Sequence, residues 1–300
     1  MLRRRSWLGG CLGLLAGCCR QNRTDVDTSE IRLHELSFGP EEGGPQRVVV
    51  LVPTWANEHH KLPLVIALHG RGEANRGLDV GAWAWVRDYG LDRSAARLRQ
   101  PPLTRDDFLG LITPSHLDRL NDSLRTNPWR GLVVACPYTP DILGHSDLDA
   151  AVPMARFVKQ YLIPKVRKRF PVIDSRQATG IDGVSLGGRM ALLVATLYPE
   201  QFGAVGTLQA AFRDQELPML VQRIRWAWQQ PVHPMALRIL TSDHDPFRPT
   251  LEKLASMLQP APQGFAFDLV AGPHDIDFNR GPGGIEMLRW QERVLVHNKT

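Results

Sequence analysis

The residues best suited to chemistry lie in the run GVSLG at residues 183–187, which fits the pattern Gly-x-Ser-x-Gly. A strand-like run, residues 178–182, comes directly before it, and a helix-like run, residues 189–198, follows. At a sharp strand-to-helix turn a serine is held exposed, and its flanking residues are glycines because side chains would collide there. This context predicts that Ser185 is a nucleophile.

A serine hydroxyl becomes a good nucleophile when a histidine, itself held by a carboxylate, takes its proton. His274 fits this role because it follows the last predicted strand, and the carboxyl ends of parallel strands meet at one edge of a sheet. The carboxylate is expected after the strand predicted at 237–241, where Asp243 and Asp245 both qualify. The less favoured histidines, which lack a strand-end position, are His59, His60, His116, His145 and His233.

A metal centre is the alternative chemistry for the same region of the sequence. Asp243, His244, Asp245 and His274 are all residue types that ligate metal ions. Their spacing, however, does not match H-E-x-x-H or a comparable metal-binding pattern. We therefore expect no metal and no other cofactor.

The elements that would carry these residues alternate between β-rich and helical segments, which predicts an α/β fold with a mainly parallel sheet. The predicted strands cover residues 31–38, 46–52, 64–68, 132–136, 178–182, 204–208, 237–241 and 265–270. The first two should form an antiparallel hairpin, because their seven-residue connection, 39–45, has no room for a crossover helix. The predicted helices cover 149–169, 188–198, 216–229, 249–258 and 284–297, with an interruption at Pro164.

A longer segment at residues 73–127 exceeds what one crossover connection needs. It carries two helical patterns, at 79–99 and 104–124, and the second begins with a capping threonine followed by acidic residues. These helices are expected to cover one face of the sheet. In the functional alternative, Trp83 and Trp85 help to wall an acyl or aromatic pocket.

The runs GVSLGG (183–188), ALL (191–193) and YPEQF (198–202) resemble the family known as "Putative esterase", which includes esterase D and feruloyl esterases. The resemblance implies an α/β-hydrolase fold for residues 31–300, with an eight-stranded, mostly parallel sheet and helices on both faces. It also implies a serine esterase that forms an acyl-enzyme. Peptidases, polyester depolymerases and acyltransferases share the same motif, and a catalytically inactive, lipid-anchored binding protein is the alternative from another class.

The resemblance also assigns further site residues. Asp245 lines up with the Gly-x-x-Asp turn of the superfamily, with Ser242 in place of the usual glycine. The run HGRG at 69–72 is similar to a His-Gly turn that supplies one oxyanion donor, which here would be the backbone N–H of Arg71. The second donor would be the N–H of Leu186, directly after the nucleophile. The expected substrate is a small-molecule or carbohydrate ester.

The N-terminal run MLRRRSWLGGCLGLLAGC reads as an export signal, with a cationic start and an apolar stretch too short to span a bilayer. The run LAGC at 15–18 resembles the bacterial lipobox, which implies a signal peptide at 1–17 and lipidation, with palmitate among the acyl chains, at Cys18. Cys11 closes a similar run but lies nearer the arginines. Residues 18–30 would then tether a periplasmic or outer-membrane lipoprotein to the cell envelope, after export by the Sec or the twin-arginine route.

The composition is that of an ordinary globular protein, with 43% hydrophobic and 22% charged residues in 300. The formal charge of +5 includes Arg3, Arg4 and Arg5 of the signal peptide, and removing these three leaves +2. Because recognition of phosphate backbones needs a concentrated basic surface, we expect no nucleic-acid partner.

Overall fold

The computed structural model describes residues 26–145, 147–231 and 235–296. The predicted signal peptide at 1–17, the predicted lipidation site Cys18 and its alternative Cys11 lie outside these residues, as does His233. Among the described residues, no helix combines the length and the apolar character that crossing a membrane requires.

An eight-stranded sheet organises the chain. Its strands are β1 (Ile31–Phe38), β2 (Gln46–Pro53), β3 (Leu64–Leu68), β4 (Val133–Pro137), β5 (Thr179–Gly183), β6 (Ala204–Leu208), β7 (Ala236–His244) and β8 (Phe265–Pro273). Their order across the sheet is β1-β2-β4-β3-β5-β6-β7-β8. β2 is antiparallel to both β1 and β4, and all other neighbours are parallel. The predicted fold class, a mostly parallel sheet with an antiparallel start, is therefore confirmed.

Helices occupy most of the connections between the strands. They are α1 (Arg71–Ala74), α2 (Leu78–Gly81), α3 (Leu91–Arg99), α4 (Pro114–Thr126), α5 (Val152–Phe157), α6 (Ile163–Arg169), α7 (Leu186–Leu197), α8 (Leu217–Trp228), α9 (Arg248–Met257), α10 (Ile276–Phe278) and α11 (Gly284–Val294). A π-helical turn, Val158–Leu162, joins α5 to α6. This is the interruption expected at Pro164, which has no N–H to donate to the preceding turn.

Alternate residues of the central strands point to opposite faces of the sheet, and helices cover both faces. Val48 and Val50 of β2 belong to one hydrophobic cluster, which includes residues of α5 to α9. Val49 and Leu51 belong to a second cluster, with residues of α3 and α11. Burial on both faces explains why the strands read as nearly continuous runs of aliphatic residues.

The prediction of one continuous helix over 79–99 is wrong. This segment forms α2, a π-helical turn at Ala84–Asp88, and then α3. Gly90 separates the last two, with φ 65. Glycine reaches this left-handed conformation without a steric penalty, and a residue in it ends the helical hydrogen-bond pattern.

The prediction of one continuous helix over 104–124 is also wrong. Thr104 precedes a short 3-10 helix, Arg105–Phe108, as its capping position predicted. The chain then turns at Gly110, which has φ 79. α4 begins only at Pro114, whose fixed φ favours the first position of a helix.

The two tryptophans of this segment have different surroundings. Trp85 is fully buried in the second cluster, and its ring lies edge-on to that of Tyr89 at 5.0 Å. Trp83 is half-buried, and the guanidinium of Arg87 lies 4.1 Å from its ring centroid. Trp85 therefore packs in the layer that covers the sheet, as the structural alternative expected.

Asp182 is a fully buried carboxyl group on β5. Its Oδ1 accepts a hydrogen bond from the N–H of Gly183 at 2.8 Å, and its Oδ2 accepts one from the amide of Gln291 at 3.0 Å. Gly206 on β6 makes room for it, because a Cβ there would lie 1.8 Å from Oδ2. Burial raises the pKa of Asp182 to about 6, although these two hydrogen bonds oppose the rise.

We expect Asp182→Asn to stabilise the protein at neutral pH, because the amide keeps the shape of the side chain without its charge. Folding raises the pKa of Asp182 above 3.8, so the folded state binds this proton more tightly than the unfolded chain does. The stability that the protonated carboxyl provides is therefore present below pH 3.8 and is lost as the pH rises through about 6. This loss corresponds to about 3 kcal/mol. The side-chain oxygen of Gln291, which has no hydrogen-bond partner among the described residues, can accept the new N–H after the Gln291 amide rotates.

The measurement is chemical denaturation of both proteins at about pH 4 and about pH 7, which lie on either side of this titration. The free energy of unfolding of the variant should exceed that of the wild type at the higher pH only. An equal difference at the two pH values would contradict the assignment, because other titrating groups are the same in both proteins.

Candidate active site

The Gly-x-Ser-x-Gly run forms a sharp turn between β5 and α7. Ser185 has φ 55 and ψ −114, a conformation that a non-glycine residue rarely adopts. Its N–H donates to the carbonyl of Leu208 at 2.8 Å. Its own carbonyl accepts hydrogen bonds from the N–H groups of Arg189 and Ala211, at 3.0 and 3.1 Å. The strained backbone of Ser185 is thus held from three sides.

The two flanking glycines of the run are required by close backbone packing. A Cβ at Gly183 would lie 2.4 Å from the carbonyl carbon of Gly187. A Cβ at Gly187 would lie 2.1 Å from the carbonyl oxygen of Leu68, at the end of β3. The predicted steric reason for the motif is therefore present, and the same contacts bring the turns after β3 and β5 together.

The turn after β8 brings His274 to Ser185. The Nε2 atom of His274 lies 3.0 Å from Oγ of Ser185, and Nδ1 lies 2.8 Å from Oδ1 of Asp245. An ionised carboxylate can only accept, so Nδ1 carries the ring hydrogen and Nε2 is left to accept the hydrogen of the Ser185 hydroxyl. The His274 side chain is 21% exposed, and the ring of Phe247 packs 5.3 Å from it. This arrangement can remove a proton from Ser185.

The carboxylate of Asp245 is fully buried and has several donors around it. Besides His274, it accepts a hydrogen bond from the Thr241 hydroxyl at 2.6 Å and one from the N–H of Phe247 at 3.0 Å. A buried charge is stabilised when such bonds occupy its lone pairs. The same bonds fix the direction in which Asp245 meets the imidazole.

Asp243, the alternative acid, faces a different set of groups. Its Oδ1 accepts from the N–H of Gly272 at 2.9 Å and lies 2.7 Å from Nδ1 of His244. Partial burial opposes its ionisation, but these hydrogen bonds from Gly272 and His244 lower the pKa of Asp243. Asp243 therefore links the end of β7 to the end of β8 by a hydrogen bond. Asp245 is the carboxylate that contacts His274.

The two proposed oxyanion donors are the first residues of their helices. Leu186 begins α7 and Arg71 begins α1, so their N–H groups have no acceptor in the preceding turn of a helix. In the part of the chain that the structure describes, neither N–H donates to another acceptor. Both donors therefore remain available to a ligand at the Ser185 turn.

His69 holds the peptide that carries the Arg71 N–H. Its Nε2 accepts from the N–H of Thr139 at 2.8 Å, and its Nδ1 donates to the carbonyl of Gly70 at 2.9 Å. Burial lowers the pKa of His69 to about 4, which keeps the ring neutral near pH 7. The Gly70 carbonyl and the Arg71 N–H belong to one planar unit, so fixing the oxygen also directs the N–H.

The remaining histidines lie elsewhere. His59 and His60 sit in a turn held by the Asn57 side chain, and His116 lies 2.9 Å from Glu286. His145 is exposed in the loop after β4. Over residues 26–145, 147–231 and 235–296, no group of three or more His, Cys, Asp or Glu side chains could hold a metal ion.

Some contributors to the site had no signal in the sequence. Thr241 and Phe247 contact Asp245 near the end of β7, where the register of this strand with β8 shifts between Ser242 and His244. His69 was recognised as part of a turn, but its two hydrogen bonds depend on Thr139, which is 70 residues away in the chain.

A profile of the family described as "Putative esterase" matches residues 145–245. This stretch contains Ser185 and Asp245 and ends before His274. No curated protein matches the chain. Over these residues, the family match agrees with the resemblance read from the sequence.

Solved structures resemble the chain over most of its length. A ferulic acid esterase matches with a TM-score of 0.63 and 14% identity, covering 88% of this chain and 98% of the other. FphF, a fluorophosphonate-binding serine hydrolase from Staphylococcus aureus, matches with a TM-score of 0.59 and 16% identity. The match covers 87% of this chain and 98% of FphF. The enterobactin esterase FES from Shigella flexneri matches with a TM-score of 0.58 and 18% identity. The match covers 88% of this chain and 59% of the esterase. The chain is thus an α/β-hydrolase by fold, and it carries the sequence pattern of the "Putative esterase" family over residues 145–245.

Proposed function

We propose that this protein is a serine esterase that hydrolyses carboxylic esters through an acyl-enzyme intermediate. The observation that carries the proposal is the position of His274, whose two ring nitrogens lie 3.0 Å from Ser185 and 2.8 Å from Asp245. A hydroxyl, an imidazole and a buried carboxylate in this order are the parts that nucleophilic acyl transfer needs. A catalytically inactive binding protein would have no need to keep all three.

In the proposed reaction, the hydroxyl of Ser185 attacks the ester carbonyl carbon while Nε2 of His274 takes its proton. The oxyanion receives hydrogen bonds from the N–H groups of Arg71 and Leu186, each worth about 3 kcal/mol of barrier reduction. The intermediate collapses, and the alcohol leaves with the proton from His274. Water then attacks the acyl-serine by the same route and releases the acid. Asp245 holds the imidazole and stabilises its charged form.

The proposed substrate is a small-molecule or carbohydrate ester. Two structural neighbours bear the names of ferulic acid esterase and enterobactin esterase, and both names denote esters of small molecules. The fold alone does not fix a substrate, because specificity resides in the turns around the nucleophile. A panel of simple, aryl and acetyl-sugar esters on the purified protein would define the acyl and alcohol preferences.

Replacing the proposed nucleophile gives the first test. Ser185→Ala should lower kcat for p-nitrophenyl acetate or butyrate by roughly 10⁴- to 10⁶-fold, because no other group supplies the attacking oxygen. Labelling by a fluorophosphonate probe should be lost in the same variant. Ser256→Ala, which changes an exposed serine on α9, is the matched control and should keep both activities. Full turnover in the Ser185 variant would refute the proposal.

The identity of the acid is tested by two variants of the same chemistry. Asp245→Asn should lower kcat by roughly 10³- to 10⁴-fold, because an amide no longer favours the hydrogen on Nδ1 of His274. Asp243→Asn should change kcat little, since Asp243 contacts Gly272 and His244. Steady-state kinetics of the two variants decide between the carboxylates. A larger loss in the Asp243 variant would reverse the assignment.

We further propose that the enzyme is a lipoprotein of the bacterial cell envelope, anchored through Cys18. The support is the sequence of the first 18 residues, in which a cationic start and a short apolar run precede LAGC. An acylated N-terminal cysteine with more than one chain would provide a stable anchor, because a single chain binds a membrane only marginally.

The anchor is tested in bacterial cells supplied with labelled palmitate. The full-length wild type should incorporate the label and remain with the membrane fraction. Cys18→Ser should abolish labelling, whereas Cys11→Ser, the matched control at the alternative cysteine, should retain it. Labelling that depends on Cys11 instead would move the processing site.

A further inference from the structure

Gln209, which follows β6, is a buried polar residue that the proposed mechanism does not use. Its side chain is 0% exposed, and its backbone has φ 49. Non-glycine residues keep this left-handed conformation where the surrounding structure enforces it, and such residues concentrate at functional sites. The contacts of Gln209 therefore call for an explanation.

The side-chain amide of Gln209 joins two turns of the active site. Its Nε2 donates to Oγ of Ser242 at 2.6 Å and to the carbonyl of Pro273 at 2.8 Å. A carbonyl can only accept, so the NH₂ group of the amide must face Pro273. Ser242 lies at the start of the turn that ends at Asp245, and Pro273 directly precedes His274.

These two bonds act on the backbone that carries the acid and the base. The Pro273 carbonyl belongs to the planar peptide unit that ends at the Cα of His274, so fixing its oxygen limits rotation of that unit. The carbonyl of Ser242 in turn accepts the N–H of Asp245 at 3.2 Å. The amide of Gln209 therefore constrains the starting points of both side chains.

The backbone at Gln209 also connects this pair of turns to the nucleophile. The carbonyl of the preceding residue, Leu208, accepts the N–H of Ser185 at 2.8 Å. The N–H of Gln209 itself donates to the carbonyl of Leu240 on β7, also at 2.8 Å. One short segment thus contacts the strand ends that carry all three proposed catalytic residues.

The side-chain oxygen of Gln209 indicates that this residue is needed for its two N–H donors and not for its acceptor. The Oε1 atom of Gln209 is buried and has no partner among the described residues. Burying an unpaired acceptor is unfavourable, and an apolar side chain of similar shape would avoid this cost. Ser242 occupies the place of the glycine usual in the Gly-x-x-Asp turn, and its hydroxyl supplies one of the two acceptors for Gln209.

We propose that Gln209 is a positioning residue for the reaction proposed above. Its amide joins the turn of Asp245 to the turn of His274, and its backbone joins both to the turn of Ser185. Gln209 does not contact the reacting atoms. Its role is to keep the imidazole within reach of the serine hydroxyl and the carboxylate during the proton transfers.

The test is Gln209→Met, which keeps the length of the side chain and removes both N–H donors. Because a displacement of about 1 Å at the reacting groups costs up to about 100-fold, kcat for p-nitrophenyl butyrate should fall about 10- to 100-fold. KM should stay close to that of the wild type, since Gln209 is buried and does not contact the substrate. The rate of fluorophosphonate labelling should fall with kcat, because the probe reacts with the Ser185 hydroxyl only when His274 is in place to take its proton.

Gln291→Met is the matched control. Gln291 is also 0% exposed, and its amide donates to the carbonyl of Ile181 and to Asp182 on β5, not to the turns that carry Asp245 and His274. This variant should lose stability to a similar extent while keeping kcat per folded molecule. Equal losses of kcat in the two variants would overturn the proposal, because the effect would then follow from destabilisation alone.

A double-mutant cycle with Ser242→Ala tests whether the bonds act together. Ser242→Ala alone should lower kcat less than Gln209→Met, because the bond to Pro273 remains. The double variant should be no slower than Gln209→Met alone, since the alanine removes an acceptor that has already lost its donor. Fully multiplicative losses would show that Ser242 and Gln209 act separately and would overturn the proposed link.

If Gln209→Met does not fold, Gln209→Glu provides the same test with a polar side chain. The Ser242 hydroxyl can donate to the new carboxylate, but the Pro273 carbonyl loses its donor, so kcat should again fall. Wild-type kcat in folded Gln209→Glu would overturn the proposal. A wild type that neither turns over esters nor reacts with the probe would instead refute the proposed function, and activity lost only in Ser185→Ala would refute the role of Gln209 alone.

Discussion

The backbone of Ser185, at φ 55 and ψ −114, lies in a region that costs a non-glycine residue about 1–3 kcal/mol. Three hydrogen bonds oppose relaxation of this strain, one to Leu208 and two from Ala211 and Arg189. Relaxation would also have to disturb the tight contact between Gly187 and the end of β3. The exposure of the serine hydroxyl, and with it the geometry of the site, depends on this constraint.

The parallel part of the sheet explains how the other groups reach the same place. β3, β5, β6, β7 and β8 are consecutive neighbours, and all run in the same direction. The carboxyl end of each strand contributes one residue of the proposed site, in the order Arg71, Ser185, Gln209, Asp245 and His274. Since neighbouring strands lie about 4.8 Å apart, residues separated by up to 89 positions in the chain come within hydrogen-bond distance.

A buried ion pair also holds the helix that follows Ser185. Arg189, on the first turn of α7, makes two hydrogen bonds to Glu216, at 2.6 and 2.7 Å. Burial opposes the ionisation of Glu216, but Arg189 and the N–H of Arg213 lower the pKa of its carboxyl. Breaking such a pair leaves an uncompensated charge, so the pair limits movement of α7 relative to the turn after β6.

Local patterns in the sequence were sufficient for the eight strands, for the sharp turn at Ser185 and for the expectation that His274 lies close to it. These depend on periodicity, on glycine spacing and on the rule that parallel strands end at one edge, all of which are readable along the chain. The broken helices at 79–99 and 104–124 were not predicted, because Gly90 and Gly110 end them through backbone angles that depend on packing.

The resemblance favoured Asp245 over Asp243, but only the tertiary structure shows which of the two carboxylates contacts His274 and which residues hold the site in place. Asp243 and Asp245 are two positions apart, yet Asp245 contacts His274 and Asp243 contacts Gly272, at the end of β7 where its register with β8 shifts. The roles of His69 and Gln209 likewise depend on partners 70 and 64 residues away. A hydrogen bond between distant residues leaves no periodic trace in one sequence, because strand pairing and not spacing along the chain brings its two atoms together.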